Sequence, residues 1–187
     1  MNALVIADQK PTRAVIDLIS EQPVDIIITL GDLELHDIRG LQSITEIPKI
    51  GVYGNHCSGT YFEILGITNM HLRTWEFGGI TFGGFEGSLR YKPSSVAKMY
   101  THEESVQLLQ DFPYVDVMIS HSPPQGINDE PGSHSHEGLL GLRQYVDNTK
   151  PRYFLHGHTY PSENEVVAEH GSTKIIYVHQ EKLVTLE

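Results

Sequence analysis

The feature that most constrains the fold of this sequence is a series of short apolar runs. Residues 3–7, 24–30 and 48–53 are rich in β-branched and aliphatic side chains, and residues 114–120 and 152–156 repeat the pattern later in the chain. Near-continuous apolar strands, separated by helical or loop segments, are typical of a mainly parallel sheet that is covered on both faces. The pattern therefore predicts an α/β fold.

The segments between these strands carry their own local signals. Pro11 opens a helical pattern, and Gly78-Gly79 mark the turn of a hairpin within residues 71–86. Thr101 and Glu104 have the spacing of a capping box, which predicts a helix over residues 101–110. The remaining predictions are a loop at 122–135, a helix at 137–147 and antiparallel strands at 165–169, 174–179 and 182–186.

Composition limits the possible classes of protein. A chain of 187 residues without a linker or repeat predicts one domain over residues 1–187. The net charge of −11 gives no broad basic surface, so we expect no long nucleic acid as a partner. The start has no basic region of a signal peptide and no stretch approaches the ~20 apolar residues of a membrane span, so we expect a cytoplasmic protein that does not associate with membranes.

One cysteine excludes an internal disulfide and a four-thiolate zinc site, whereas eleven histidines are available as ligands.

Polar residues that can bind metals stand where the predicted strands end. In open α/β sheets, ligands bind beyond the carboxyl ends of the strands. Carboxylate, amide oxygen and imidazole together suit a divalent cation such as Mn, Fe or Zn. The strand ends therefore predict a metal site, and the residues in question are Asp8, Asp32, Asn55, His56, His121 and His158.

The order of these blocks resembles the calcineurin-like metallophosphoesterases over nearly the whole chain. The blocks are Asp8, Gly31-Asp32, Gly54-Asn55-His56, His121 and Gly157-His158-Thr159. The resemblance implies a two-sheet sandwich flanked by helices, in four layers, and hydrolysis of phosphate monoesters or diesters at a two-metal centre. It also implies that His56 is the general acid for the leaving group. The metal ligands that it implies are Asp8, Asp32, Asn55, His121 and His158.

Two positions depart from the family pattern. Lys10 stands where the family has the histidine of Asp-x-His, and Tyr160 stands where it has the last histidine of Gly-His-x-His. In the family both histidines serve the same metal, so we expect one ion per chain, with the ammonium of Lys10 replacing part of the lost charge. In an alternative register, His156 and His158 would themselves imitate the missing pair.

Substrate-binding residues are predicted from local composition. Arg90, which shares its loop with Tyr91 and Lys92, suits a phosphate and a stacked base. His134 and His136 are candidates for a phosphate contact or an extra ligand, and Tyr160 is a candidate substrate contact. The resemblance also implies an acidic residue that orients His56, and Glu34 and Asp37 are the candidates for that role. We assign the remaining histidines to the surface or the core; they are His36, His71, His102, His170 and His179.

Three functions are compatible with these features. The first is a metal-dependent hydrolase of small phosphate esters, either a phosphodiesterase, with manganese as one candidate metal, or a nucleotide-type phosphatase. The second is a catalytically inactive binding or scaffold module of the same fold. The third is a nuclease, which the net negative charge disfavours.

Overall fold

The computed structural model describes residues 1–57, 59–94 and 98–187, and it contains two multi-stranded sheets with helices on their outer faces. The helices are α1 (Val15–Glu21), α2 (Tyr61–Leu65), α3 (His102–Leu109) and α4 (Leu140–Thr149), with a 3-10 helix at Arg39–Ser43. The strands are β1 (Asn2–Ala7), β2 (Ile26–Thr29), β3 (Lys49–Gly51), β4 (Thr68–Asn69), β5 (Thr74–Phe77), β6 (Ile80–Phe85), β7 (Ser88–Leu89), β8 (Met99–Tyr100), β9 (Val117–Ser120), β10 (Tyr153–His156), β11 (Glu169–His170), β12 (Thr173–Tyr177) and β13 (Gln180–Thr185).

The two large sheets are mainly parallel. The first has the order β13-β1-β2-β3-β4, in which only β13 runs antiparallel to its neighbour. The second has the order β11-β12-β10-β9-β6-β5, with four parallel strands in the middle and antiparallel strands at both edges. Strands β7 and β8 form a separate short parallel pair. Within each large sheet the parallel strands place their carboxyl ends at a shared edge, where loops can form a site.

The chain forms four layers, and an apolar cluster lies between each layer and the next. Alternate residues of β1 enter different clusters, with Val5 between the two sheets and Ile6 on the outer face of the first sheet. The second sheet repeats this pattern, with Ile119 between the sheets and Met118 facing α3 and α4. Burial on both faces explains why these strands read as near-continuous apolar runs. The predicted two-sheet sandwich flanked by helices is confirmed.

Most predicted elements are present, but two helices begin later than predicted. The 71–86 hairpin and the capping box of Thr101 and Glu104 are confirmed. The first helix starts at Val15 because Thr12 lies in a loop, where its N–H donates to Glu181. Helix α4 starts at Leu140 because Gly138 donates its N–H to the Asp129 carboxylate.

The prediction of antiparallel C-terminal strands is confirmed for β11 with β12 and wrong for β12 with β13. Strand β11 is reduced to Glu169–His170, because the N–H of Val167 donates to the Asn128 side chain at 2.6 Å instead of joining a sheet. Strand β12 runs parallel to β10 in the second sheet, whereas β13 runs antiparallel to β1 in the first. The connection at Val178-His179 therefore crosses from one sheet to the other.

No helix in the described part of the chain is both long enough and apolar enough to span a membrane.

Candidate metal centre

The carboxyl ends of strands from both sheets bring the predicted ligands together. Asp32 follows β2, His121 follows β9 and His158 follows β10. One ligand atom from each of these three residues lies within 4.8 Å of the others. Asn55 adds an amide oxygen, with its Oδ1 3.1 Å from Nε2 of His121. Two nitrogens and two oxygens therefore converge on one volume, and this donor set suits a divalent cation of the Mn, Fe or Zn type.

Glycines allow the loops of the site to lie this close together. A β-carbon on Gly54 would lie 2.0 Å from Oδ1 of Asp32, and one on Gly31 would lie 2.3 Å from the backbone nitrogen of Gly54. A β-carbon on Gly157 would lie 2.9 Å from both carboxylate oxygens of Asp8. The glycines of the sequence blocks are thus required by contact between neighbouring loops.

Three of the polar residues adopt left-handed backbone conformations. Asp8, Asp32 and His158 have φ angles of 64°, 50° and 70°. Asp and His are among the non-glycine residues that accept this region more readily, although it still costs about 1–2 kcal/mol per residue. Such strain is frequent at functional sites, where the surrounding structure holds it. Here it turns the chain sharply at the strand ends and directs the side chains into the site.

The surroundings of His121 leave room for a cation at one ring nitrogen. Its Nδ1 donates a hydrogen bond to the Leu30 carbonyl at 2.8 Å. Its Nε2 faces two oxygens, Asn55 Oδ1 at 3.1 Å and Asp32 Oδ2 at 3.4 Å. The lone pairs of these three atoms would repel one another unless a proton or a metal ion lies among them, so this geometry fits a metal ligand.

The His158 ring is oriented in a comparable way. Its Nε2 donates to the Ser135 carbonyl at 2.7 Å, which leaves the lone pair of Nδ1 for a metal. Burial lowers the pKa of His158 to about 3, and the nearby His121 acts in the same direction. A ligating imidazole has to be neutral, so this residue needs no deprotonation before it binds a cation.

The pKa values of the two carboxylates of the site shift in opposite directions. Burial raises the pKa of Asp8 to about 6, although the His121 charge and the backbone N–H of His158 oppose that rise. Burial would also raise the pKa of Asp32, but the charge and hydrogen bond of His121 together hold it well below its usual range. For His121, burial lowers the pKa, but the charge and hydrogen bond of Asp32, the Asp8 charge and the hydrogen bond to Leu30 together raise the pKa to about 9.

Cation binding is expected to release a proton. Because the pKa of His121 is raised to about 9, the imidazole is protonated at pH 7, and a cation has to displace the proton at Nε2. We expect the affinity to rise about tenfold per pH unit between pH 7 and about 9 and to level off above that range. Calorimetric titration in two buffers of different ionisation enthalpy measures the released proton. A binding heat that does not depend on the buffer would contradict this assignment.

Cys57 joins two loops of the site. Its Sγ accepts hydrogen bonds from the backbone N–H of Asp32 at 3.2 Å and of Gly54 at 3.1 Å. Burial raises the pKa of the thiol, so a reactive thiolate is disfavoured. The sequence indicates only a small buried side chain at this position, and the bridging contact is visible only in the structure.

The proposed proton donor, His56, lies beside the cation position. Its backbone N–H donates to Oδ1 of Asp32 at 2.8 Å, and its side chain is exposed. Neither candidate for its orientation, Glu34 or Asp37, has a hydrogen bond or ion pair with His56 among the described residues. Asp37 instead lies 3.3 Å from Nε2 of His36.

Lys10 and Arg90 are placed differently from the ligands. Lys10 is exposed, and within the described ranges no ion pair joins it to Asp8. Arg90 forms an ion pair with Glu104 of α3 at 2.7 Å and also donates to the Met99 carbonyl. Neither side chain is fixed against the four converging ligands by a hydrogen bond or ion pair in these described segments.

Tyr160 and His136 flank the site. The His136 ring meets the His158 ring edge-on at 5.4 Å, and Tyr160 meets His136 at 5.9 Å. Tyr160 is 53% exposed, so its ring is accessible to a substrate.

His156, the other member of the alternative register, is fully buried. Its Nε2 accepts from the Asn128 side chain at 3.0 Å, and its Nδ1 donates to the Gly157 carbonyl at 3.1 Å. Both ring nitrogens are therefore occupied, and the alternative register is not supported.

The structure adds one residue, His179, that the sequence assigns to the background. Nδ1 of His179 lies 3.9 Å from Oδ2 of Asp8. The sequence does contain a signal for this residue, because His179 ends the predicted strand 174–179 just as the other site residues end their strands. The residue was missed because that strand was predicted to belong to an antiparallel C-terminal group.

Comparison with known proteins agrees with this geometry. Two sheets with a divalent-cation donor set at their shared edge define a metal-binding α/β sandwich. The family model of the calcineurin-like phosphoesterase superfamily domain matches residues 1–179. The chain therefore belongs to the calcineurin-like phosphoesterase superfamily, whose family-level activity is metal-dependent hydrolysis of phosphate esters.

Solved structures share the fold at low sequence identity. One matches with a TM-score of 0.67 and 15% identity, over 100% of this chain and 99% of that one. The protein TT1561 of Thermus thermophilus matches with a TM-score of 0.58 and 12% identity, over 96% of this chain and 89% of that one. At such identities the similarity shows a common fold. No curated protein sequence matches the chain.

Proposed function

We propose that this protein hydrolyses the phosphate esters of a small molecule, as a phosphodiesterase or a nucleotide-type phosphatase. The observation that carries the proposal is the donor set of Asp32, Asn55, His121 and His158, in which carbonyl groups orient both imidazoles. Such oriented ligands distinguish a cation site from a chance cluster of polar residues. A strongly acidic chain also favours a small phosphorylated substrate over long nucleic acid.

The residues of the site divide the chemistry between them. Asp32, Asn55, His121 and His158 would hold a divalent cation, which would supply Lewis-acid activation of the phosphoryl group and of the attacking water. His56, at the exposed edge of the site, donates a proton to the departing ester oxygen as its bond to phosphorus breaks. Tyr160 and His136 border the opening, where they would contact the substrate. Arg90 is proposed to bind substrate after release from Glu104.

His56→Ala is expected to lower kcat about 10²- to 10⁴-fold without changing cation affinity. The loss should be larger for a phenyl ester than for a 4-nitrophenyl ester, because the poorer leaving group depends more on protonation. The measurement is steady-state hydrolysis of both esters. His36→Ala removes another exposed histidine and serves as the control. Equal losses on both esters would argue against an acid role for His56.

The function is tested by hydrolysis of mono- and bis-4-nitrophenyl phosphate by metal-free protein that is then supplied with Mn²⁺, Fe²⁺ or Zn²⁺. Activity that depends on the added metal supports the proposal, and the preferred ester separates a phosphodiesterase from a phosphatase. A folded protein that binds the cation but hydrolyses neither ester would contradict it.

One observation favours a second function, a binding module without catalysis. Lys10 and Tyr160 stand at the two positions where the family has histidines for one metal. The hypothesis of one ion per chain, with Lys10 supplying charge, stays a prediction, and the exposure of Lys10 gives it no structural support. Binding of a phosphate ester without turnover would favour this second function.

A further inference from the structure

The segment that crosses between the sheets begins with His179 at the same edge of the second sheet as His158, a proposed metal ligand. In the parallel ladder of β10 and β12, His156 pairs with Tyr177, and the N–H of Val178 donates to the His156 carbonyl at 2.9 Å. His158 and His179 are thus each two residues beyond the last residue of their strands. Parallel neighbouring strands therefore bring both imidazoles to the same edge of the second sheet.

The environment of His179 leaves one ring nitrogen without a partner. Its Nδ1 is inaccessible to solvent and has no hydrogen bond to any residue that the structure describes, although the side chain as a whole is 30% exposed. The charged group that faces this atom is the Asp8 carboxylate, at 3.9 Å. A buried nitrogen without a partner is costly, and it calls for a specific explanation.

These two atoms lie close to the separation of two ligands of one cation. Metal–nitrogen and metal–oxygen bonds of about 2.0–2.2 Å place two ligand atoms of a tetrahedral ion about 3.4 Å apart, so Nδ1 of His179 and Oδ2 of Asp8 would approach by about 0.5 Å on binding it. Asp8 is itself positioned firmly, because both of its oxygens accept from the backbone N–H of His158, at 3.0 and 2.9 Å. Tyr160 packs edge-on against the His179 ring at 5.4 Å and limits its rotation.

We propose that Asp8 and His179 hold a second divalent cation next to the one bound by the Asp32 ligand set. His179 then supplies the imidazole that positions 10 and 160 lack, from a strand end that the family pattern does not include. This inference rests on the proposed function, since it adds an ion to the same site. It replaces the role that the sequence indicates for Lys10.

The test is the number of ions bound per chain. Metal-free protein is equilibrated with Mn²⁺, and bound manganese is counted by elemental analysis after dialysis. We expect two ions in the wild type and one in His179→Ala, with the tighter site unchanged. His179→Asp, which restores a ligand, should bind two again. His36→Ala, which removes an exposed imidazole elsewhere, should also bind two, and thermal melting verifies that each variant is folded.

Each outcome separates this inference from the proposed function. One ion in the wild type overturns the role of His179 and supports the single-ion hypothesis, while the proposed function stands. Two ions in both the wild type and folded His179→Ala also overturn it. No bound ion in the wild type would contradict the proposed function as well. If His179→Ala does not fold, a count of one ion in His179→Gln supports the proposal and a count of two overturns it.

Discussion

His121→Ala is expected to abolish cation binding at the four-ligand site and to lower phosphoesterase activity at least about 10³-fold. His121 contacts two other ligands and is completely buried, so water cannot easily take its place. Loss of several kcal/mol of Lewis-acid stabilisation corresponds to a rate loss of this size. The measurements are calorimetric titration with Mn²⁺ and hydrolysis of bis-4-nitrophenyl phosphate.

A second buried histidine provides the matched control. His156 is also fully buried, and its two ring nitrogens bond to Asn128 and to the Gly157 carbonyl, outside the ligand set. We expect His156→Ala to lower the free energy of unfolding by about 1–3 kcal/mol while Mn²⁺ affinity is retained. If His121→Ala bound Mn²⁺ as tightly as the wild type, the ligand assignment would be wrong.

Gly54→Ala is expected to reduce the free energy of unfolding by about 3 kcal/mol or more, at the upper end for overpacked sites. The added β-carbon would lie 2.0 Å from Oδ1 of Asp32 and 2.6 Å from its backbone nitrogen. Relief of this clash has to displace Asp32, so Mn²⁺ affinity should fall in the same variant. Urea denaturation and metal titration measure the two effects.

Gly40 is the control for this substitution. It lies in the 3-10 helix, and a β-carbon there would have no neighbour within 4 Å. Gly40→Ala should therefore change stability by no more than about 1 kcal/mol. Equal stability of Gly54→Ala and Gly40→Ala would show that the two loops do not require this close contact.

Much of the fold is predictable because its signals are local. Runs such as residues 3–7 form buried strands, and the capping box at Thr101 starts a helix through contacts within four residues. The boundaries of α1 and α4 are less accurately predicted, because they depend on distant partners. Glu181 holds Thr12 in a loop, and Asp129 holds Gly138.

The features of the candidate site also divide into those that the sequence predicts and those that depend on distant contacts. The residue types at the strand ends, such as Asp32 and His121, are visible in the sequence, and parallel strands bring their carboxyl ends together. The carbonyl groups that orient the imidazoles cannot be recognised in this way, since Leu30 and Ser135 contribute backbone atoms, which every residue has. The bridging role of Cys57 likewise depends on two loops that meet only in the folded chain.

The order of residues is enough to predict that buried strands end in carboxylate, amide and imidazole groups, and that the histidines expected at positions 10 and 160 are replaced. The sheet that each C-terminal strand joins, in contrast, depends on contacts that form only in the folded chain. An apolar run specifies that a strand is buried, but its partner is chosen by distant residues, here β10 for β12 and β1 for β13. That choice carries His179 across the two sheets and brings it next to Asp8.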